Sequence, residues 1–187
     1  RVSGPLLDRF DIQIELSAVK ASDLTLPPPK ETSSDVAARV FAARRIQAHF
    51  ALHGFGQWVL ERREQPGLIG ALGLQQVGFE AAFTPAVEIG WRLQRSHWRQ
   101  GYALEAAEAV LAHAFDVLQL HEVLAFTVPA NLPSQGLMQR LGMQHQVEQD
   151  FQHPLLPVGH PLRQHVLYRL SQVSWRQRIA SRAIGGD

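Results

Sequence analysis

Val87-Glu88-Ile89-Gly90-Trp91-Arg92-Leu93-Gln94-Arg95-Ser96-His97-Trp98-Arg99-Gln100-Gly101-Tyr102-Ala103 passes from an alternating segment, through a polar turn, into an amphipathic one. Val87, Ile89 and Trp91 fall on one side of a period of two, which predicts a strand over Ala86 to Leu93. Gln94 to Gln100 is the turn. From Gly101 to about Leu118 the period becomes helical, with Ala103, Ala106, Ala107, Val110, Leu111, Ala114 and Phe115 on one side. Gly101 and Ala103 are small, so the backbone there can approach a ligand closely. Free N–H groups at a helix start bind phosphate oxygens, helped by the helix dipole. Read alone, the stretch also fits an ordinary strand, turn and helix whose glycine serves the turn.

Around this stretch the chain alternates strands and helices. Strands are predicted over Gln57 to Glu61, Leu68 to Gln76, Glu122 to Val128, Met143 to Val147 and Gln164 to Leu170. Ser134 to Leu141 reads as a short helix. Asp150 to Arg163, with Pro154, Pro157 and Pro161, has no usable period and reads as a long loop, a class of segment that is often functional. The order predicts α/β architecture with a mixed sheet and short crossovers. Towards the N-terminus, Phe10, Ile12, Ile14 and Leu16 alternate with polar residues as one half-buried strand, expected to dock on or near the sheet edge, with a detached arm as its alternative. Lys20 to Ser34, with Pro27-Pro28-Pro29, reads as a linker. Ser33-Ser34-Asp35 can cap a helix over Val36 to about Leu52, stopped by Gly54. The tail after Leu170 carries Arg176, Arg178 and Arg182 and reads as a solvated or frayed end.

Composition narrows the function. Apolar residues make up 45% of the 187, enough for a sizeable core. The 18 Lys+Arg against 17 Asp+Glu leave a formal charge of +1, which argues against a nucleic-acid binder that grips many phosphates. The absence of cysteine excludes disulfides, thiolate metal sites and a Cys nucleophile. His145, His153, His160 and His165 are irregularly spaced and lack a helical His-x-x-x-His pair, so no metal is expected. No run of about 18 apolar residues occurs, so no membrane span is expected, and a cytoplasmic location follows by default. The chain begins with Arg1 rather than Met, as expected of a fragment, a processed product or a truncated frame.

Residues 46–170 resemble the GNAT acetyltransferases, and specifically the branch of ribosomal-protein N-terminal acetyltransferases. The family's loop motif, Q/R-x-x-G-x-G/A, falls on Trp98, Gly101 and Ala103, with Trp in place of the general first residue. About 30 residues on, Phe126-Thr127-Val128-Pro129-Ala130-Asn131 leads into Ser134 and Leu141-Gly142-Met143. That is similar to the family's second cofactor-binding segment. The resemblance implies a GNAT-like mixed twisted sheet with flanking helices and acetyl-CoA as co-substrate without a metal. It also implies an amine acceptor, either a peptide N-terminus or a small molecule, attacked directly in a ternary complex. The backbone amides of Leu93, Arg99, Gln100, Gly101, Tyr102 and Ala103 are the candidate thioester and pyrophosphate contacts, with Trp98 at the head of the motif. Asn131 resembles the residue that bonds the pantetheine arm. Glu88, on the strand lining the cleft, is the candidate base; a solvated strand carboxylate is its ordinary alternative. Where many members have a protonating Tyr this chain has Met138, which leaves Ser134 as the nearest hydroxyl for the leaving thiolate; a helix N-cap is Ser134's ordinary alternative.

Val2 to Ile12, continuing to about Arg45, resembles the magnesium-chelatase and ComM-like AAA+ ATPases, although no G-x-x-x-x-G-K-[ST] occurs in the chain. The expected organisation is therefore an AAA+-like fragment and linker over 1–45 and an acetyltransferase domain over 46–170 with its N-terminal strand and helix replaced. A tail follows over 171–187. Two functions are expected from it: an active N-acetyltransferase, or an impaired domain that binds CoA or a partner without turnover. The oligomeric state is left open.

Overall fold

A computed structural model of the chain describes residues 12–15, 44–63 and 67–184. The linker from Lys20 to Ser34 and the start of the helix expected from Val36 lie outside the described residues. Eight strands appear among the described residues. β1 (Ile12–Glu15), β2 (Gln57–Arg62), β3 (Leu68–Gln76) and β4 (Val87–Leu93) form an antiparallel meander. β4 then runs parallel to β5 (Glu122–Thr127). β5 pairs antiparallel with β8 (Gln164–Ser171), whose far edge carries the two-residue strands β6 (Gln144–His145) and β7 (Phe151–Gln152). This is the mixed α/β sheet expected. The strand expected over Phe10 to Leu16 is described at Ile12–Glu15 and docks at the sheet edge as expected: it pairs with β2 from Ile12↔Arg62 to Glu15↔Val59.

Register divides the sheet into two faces, because neighbouring residues on a strand point to opposite sides. Leu72 lies opposite Trp91 and Leu74 opposite Ile89 on one face. Gln75 lies opposite Glu88 and Gly73 opposite Gly90 on the other. The first face holds the core. The helix α1 (44–53) and the crossover helix α2 (Tyr102–Ala112) pack there. Ala106, Ala107 and Ala114 are fully buried, and their small side chains let α2 lie close to the sheet, with Val110, Leu111 and Phe115 filling the space between. α2 widens into a π-helical turn over His113–Val117 before β5. α1 is held by His49. A carbonyl only accepts and an amide N–H only donates, so the proton must sit on Nδ1. That nitrogen donates to the Phe55 carbonyl (2.7 Å), and Nε2 accepts from the Gln76 N–H (2.9 Å).

The C-terminal segment corrects the reading of a frayed tail. Gln172–Ile184 is a helix, α4. Its Trp175 is buried against Phe115, with ring centroids 6.0 Å apart. Arg178 donates to Glu108 of α2 (2.8 Å) and to the Arg140 carbonyl (2.7 Å), and Arg182 also reaches Glu108 (2.6 Å). Arginines that look solvated along the sequence tie two helices together. Two further differences are smaller. The strand expected over Met143 to Val147 shortens to Gln144–His145, since the chain then turns so that Asp150 Oδ1 can accept from the Leu167 N–H (3.0 Å). The loop from Asp150 to Arg163 contains β7. No helix among the described residues is long and apolar enough to cross a membrane.

β2 and β3 approach each other too closely for a side chain at Gly73. A Cβ there would stand 2.2 Å from the Gly56 carbonyl oxygen, a backbone atom. A Cβ at Gly90 meets nothing within 4 Å. Gly73→Ala should therefore cost roughly 1–3 kcal/mol in a urea melt, as overpacking does, while Gly90→Ala should leave the midpoint unchanged or slightly raised. Equal melts for the two variants would contradict the register.

Candidate functional site

The site begins with a failure of pairing. β3 and β4 are in register over seven residue pairs, from Gly70↔Leu93 to Gln76↔Val87. β4 and β5 meet only at Glu88↔Leu124. Beyond that point the strands part, so the edge of β4 from Ile89 to Leu93 faces a gap rather than a neighbour. Backbone N–H and C=O groups need partners, and an unpaired strand edge is a template for any ligand that can supply them. Gly90 lies in this stretch with open space where a side chain would be. A side-chain bond joins the parted walls: Trp91 Nε1 on β4 donates to Ser134 Oγ, 3.2 Å away, on α3 (Leu132–Arg140), the helix after β5.

At the end of β4 the chain makes the predicted turn. Gln94 anchors it to β3, its N–H donating to the Ile69 carbonyl (2.8 Å) and its side-chain amide to the Leu68 carbonyl (2.6 Å). A 3-10 turn follows over Arg95–His97. Trp98 then folds back, Nε1 donating to the Leu93 carbonyl (2.9 Å) with the Arg95 guanidinium 6.0 Å from its ring centroid. Arg99 and Gly101 both have left-handed backbone, with φ of 58° and 90°. Arg99 is a non-glycine residue in that region, which it occupies at some cost. Left-handed residues in a turn are how successive N–H groups converge on one concavity. Gly101 caps α2, its carbonyl accepting from Leu104 (2.9 Å) and Glu105 (3.1 Å). Among the described residues no hydrogen bond takes up the N–H groups of Arg99, Gln100, Gly101, Tyr102 or Ala103. With Arg95 and Arg99 exposed beside it, the mouth of α2 is a positive cradle of unpaired donors. Leu93 and the predicted loop residues are thus brought together. Trp98 acts as the pin that holds the turn against the strand.

Glu88 stands at the foot of the gap, where β4 and β5 still touch. It is half-buried, and loss of solvent pushes its carboxyl from 4.5 up to about 7, against the opposing pull of a hydrogen bond from Gln75 Nε2. Gln57 Nε2 reaches Gln75 Oε1 in turn (3.5 Å), so three strands contribute to the orientation of one carboxylate. A group with this pKa is part ionised near neutrality and can accept and release a proton. Gln75 is a site residue that sequence reading missed. Its only sequence signal is a polar residue at the strand position next to the core Leu74, which many strand residues share.

The second predicted segment differs in detail. Asn131, not Ser134, caps the helix: its Oδ1 accepts from the Ser134 N–H (3.3 Å), and its Nδ2 donates to Thr127 Oγ1 (2.9 Å). Ser134 sits at the third helical position. Its oxygen accepts from Trp91, and its hydroxyl hydrogen has no acceptor among the described residues. Met138 is buried in the core. Trp91 packs against the core and is also a donor. Among the described residues no group of three His, Cys, Asp or Glu side chains is placed to hold a metal ion.

The site therefore combines a mixed sheet with one parted strand pair, a crossover helix whose free N–H groups open on the gap, and a carboxylate of raised pKa at its foot. The chain belongs to the GNAT acetyltransferase family: the model of the acetyltransferase (GNAT) domain matches residues 14–144. The match begins inside the segment likened to AAA+ ATPases, in the strand that pairs with β2, so it does not respect a boundary at residue 46. The N-acetyltransferase YnaD of Bacillus subtilis strain 168, itself uncharacterized, is 32% identical over 88 residues, 47% of this chain and 50% of that protein. The chain spans about half the length of the curated relatives it matches. An acetyltransferase of the GNAT family from Bacillus anthracis superposes with a TM-score of 0.57 at 24% identity, over 76% of each chain. RimJ of Mycobacterium smegmatis, solved with CoA-disulfide, superposes with a TM-score of 0.61 at 22% identity, over 83% of this chain and 75% of that one. At such identities these two show the fold alone.

Two outcomes follow from the geometry. Gly101→Glu puts bulk and negative charge into the cradle, and should abolish binding of acetyl-CoA by calorimetry while leaving the melting temperature within a few degrees. Glu88 binds a proton more tightly folded than unfolded, so its ionisation costs stability as pH rises from about 4.5 to 7, and the cost persists above 7. Glu88→Gln should therefore melt higher than the parent at pH 8, with the difference gone by pH 4. A difference that grew on acidification would contradict the burial of this carboxylate.

Proposed function

We propose that the chain is an acetyl-CoA-dependent N-acetyltransferase that transfers the acetyl group to a primary amine, of a peptide N-terminus or a small molecule, by direct attack in a ternary complex. The observation that carries this reading is the single pairing Glu88↔Leu124, which opens a gap in the sheet with a donor cradle at its mouth and a base at its foot. The N–H groups from Arg99 to Ala103 hold the pyrophosphate. The free edge of β4, ending at Leu93, pairs with the amides of the pantetheine arm, which supplies the partners this edge lacks, and Asn131 lies on the opposite wall. Gly90, without a side chain, leaves room for the arm beside β4.

Glu88 takes the proton of the attacking amine, directly or through water. A C–N bond forms, the C–S bond breaks, and the thiolate leaves. Ser134 stands where its free O–H can hydrogen-bond that thiolate. It does not surrender its proton: a hydroxyl pKa near that of water, about 15.7, is far above the roughly 8.5 of a thiol. The bond that Ser134 accepts from Trp91 fixes its oxygen and turns its hydrogen outward. The proton for the thiolate comes from Glu88 or from solvent.

Saturating acetyl-CoA at 100 times its dissociation constant should stabilise the chain by about 2.7 kcal/mol, and thiol release should then depend on added amine. Stabilisation without amine-dependent release would leave a CoA-binding domain without turnover. No stabilisation at millimolar acetyl-CoA would refute both. In the active chain Ser134→Ala should lower kcat about tenfold with an unchanged KM for acetyl-CoA, because its bond forms to charge that exists only in the transition state. An unchanged kcat would leave Ser134 a structural residue.

A further inference from the structure

On the sheet face that carries Glu88, a cavity of about 390 Å³ opens between the β3–β4 loop and the segment around β7. Register places it near the base: Glu88 pairs with Leu124, Leu124 pairs with Arg169, and Arg169 lines the cavity. Two strand spacings of about 4.8 Å put the Glu88 and Arg169 backbones roughly 10 Å apart. The floor is apolar. Phe83 and Phe151, 4.9 Å apart at their ring centroids, both pack on Phe126, which lies two residues beyond Leu124 on β5. The rim is acidic. Glu80 comes from one loop and Glu148 from the other; both are exposed, and neither has a hydrogen bond or ion pair among the described residues. Asp150 adds a third carboxylate, engaged by His145 (2.9 Å) and the Leu167 N–H (3.0 Å). The one cation on the wall, Arg169, is already matched by Glu122. Unpaired like charges on the two sides of the cavity make its mouth negative, and a cation placed between them is favoured there at low salt.

Resting on the reading of the chain as an amine acetyltransferase, we propose that this cavity selects the acceptor: the substrate is a primary amine that carries a second positive charge on a flexible apolar arm. Phe83 and Phe151 cover the methylenes, and Glu80 and Glu148 hold the distal cation, while the reacting nitrogen lies at Glu88. A free diamine and a short peptide with a lysine near its N-terminus share this chemistry. An aliphatic monoamine satisfies the floor and leaves the rim unpaired.

The test compares 1,5-diaminopentane, n-pentylamine and 5-aminopentanoate as acceptors at low salt, beside two tripeptides that differ in a lysine or a glutamate after the first residue. The diamine should exceed n-pentylamine in kcat/KM by about tenfold, and 5-aminopentanoate should be worse than both. Glu80→Gln/Glu148→Gln should collapse the first ratio towards one while leaving the rate with n-pentylamine and the KM for acetyl-CoA unchanged. Raising salt should erode the preference in the parent chain only. Preference for the lysine tripeptide over the diamine would assign the cation to a peptide, and the reverse to a free diamine. Equal kcat/KM for diamine and monoamine, or a preference untouched by the double variant, would overturn the proposal. The same amines titrated by calorimetry into the CoA-saturated chain give a readout without turnover. Diamine binding there that weakens about tenfold in the double variant would support the cavity even if no amine were acetylated, an outcome that would refute the transferase reading alone. Equal binding of diamine and monoamine would overturn the cavity.

Discussion

Everything at the candidate site depends on β4 ceasing to pair with β5 after Glu88. A parallel strand pair normally continues its ladder for its full length, since each unmade backbone bond leaves a donor or acceptor that must find another partner. Here the other edges of both strands are fully committed, β4 to β3 and β5 to β8. The two halves of the sheet are therefore rigid and their junction is open. The Trp91–Ser134 bond spans that opening on the core face, and the Glu88 carboxylate sits at its apex on the opposite face.

The division of the sheet into faces follows from the same register. Leucines and alanines gather under α2, which must lie close to the sheet for its N-terminus to point at the gap. The opposite face carries a carboxylate, amides and a set of phenylalanines, covered by the β3–β4 loop and the segment around β7. Glu88 is desolvated by the strands and side chains around it rather than by a lid. That is enough to bring its pKa near neutrality, while the Gln75 bond prevents a larger shift.

Much of this was legible in the sequence where the signal is local. β3 falls on Leu68–Gln76 as its alternation predicts, and the turn and helix start at Gly101 fall where the motif places them. What sequence missed is set by distance along the chain. Arg178 and Arg182 look solvated until Glu108, some 70 residues earlier, is placed beside them. Trp91 looks like core until Ser134 is brought within reach across the gap. Asn131 and Ser134 are both good caps by type, and only the backbone geometry decides between them. The N-terminal strand carried the alternation of an edge strand and lies at the sheet edge; that its partner is β2 is a contact across more than 40 residues that no local pattern reports.

Amide hydrogen exchange with and without acetyl-CoA tests the open junction most directly. If the gap is the cofactor channel, the amides of Ile89 to Leu93 and of Arg99 to Ala103 should slow on addition of acetyl-CoA, while those of β2 and of the β3–β4 ladder away from the gap keep their rates. Unchanged exchange along β4 and the α2 turn, with protection appearing elsewhere, would contradict the account.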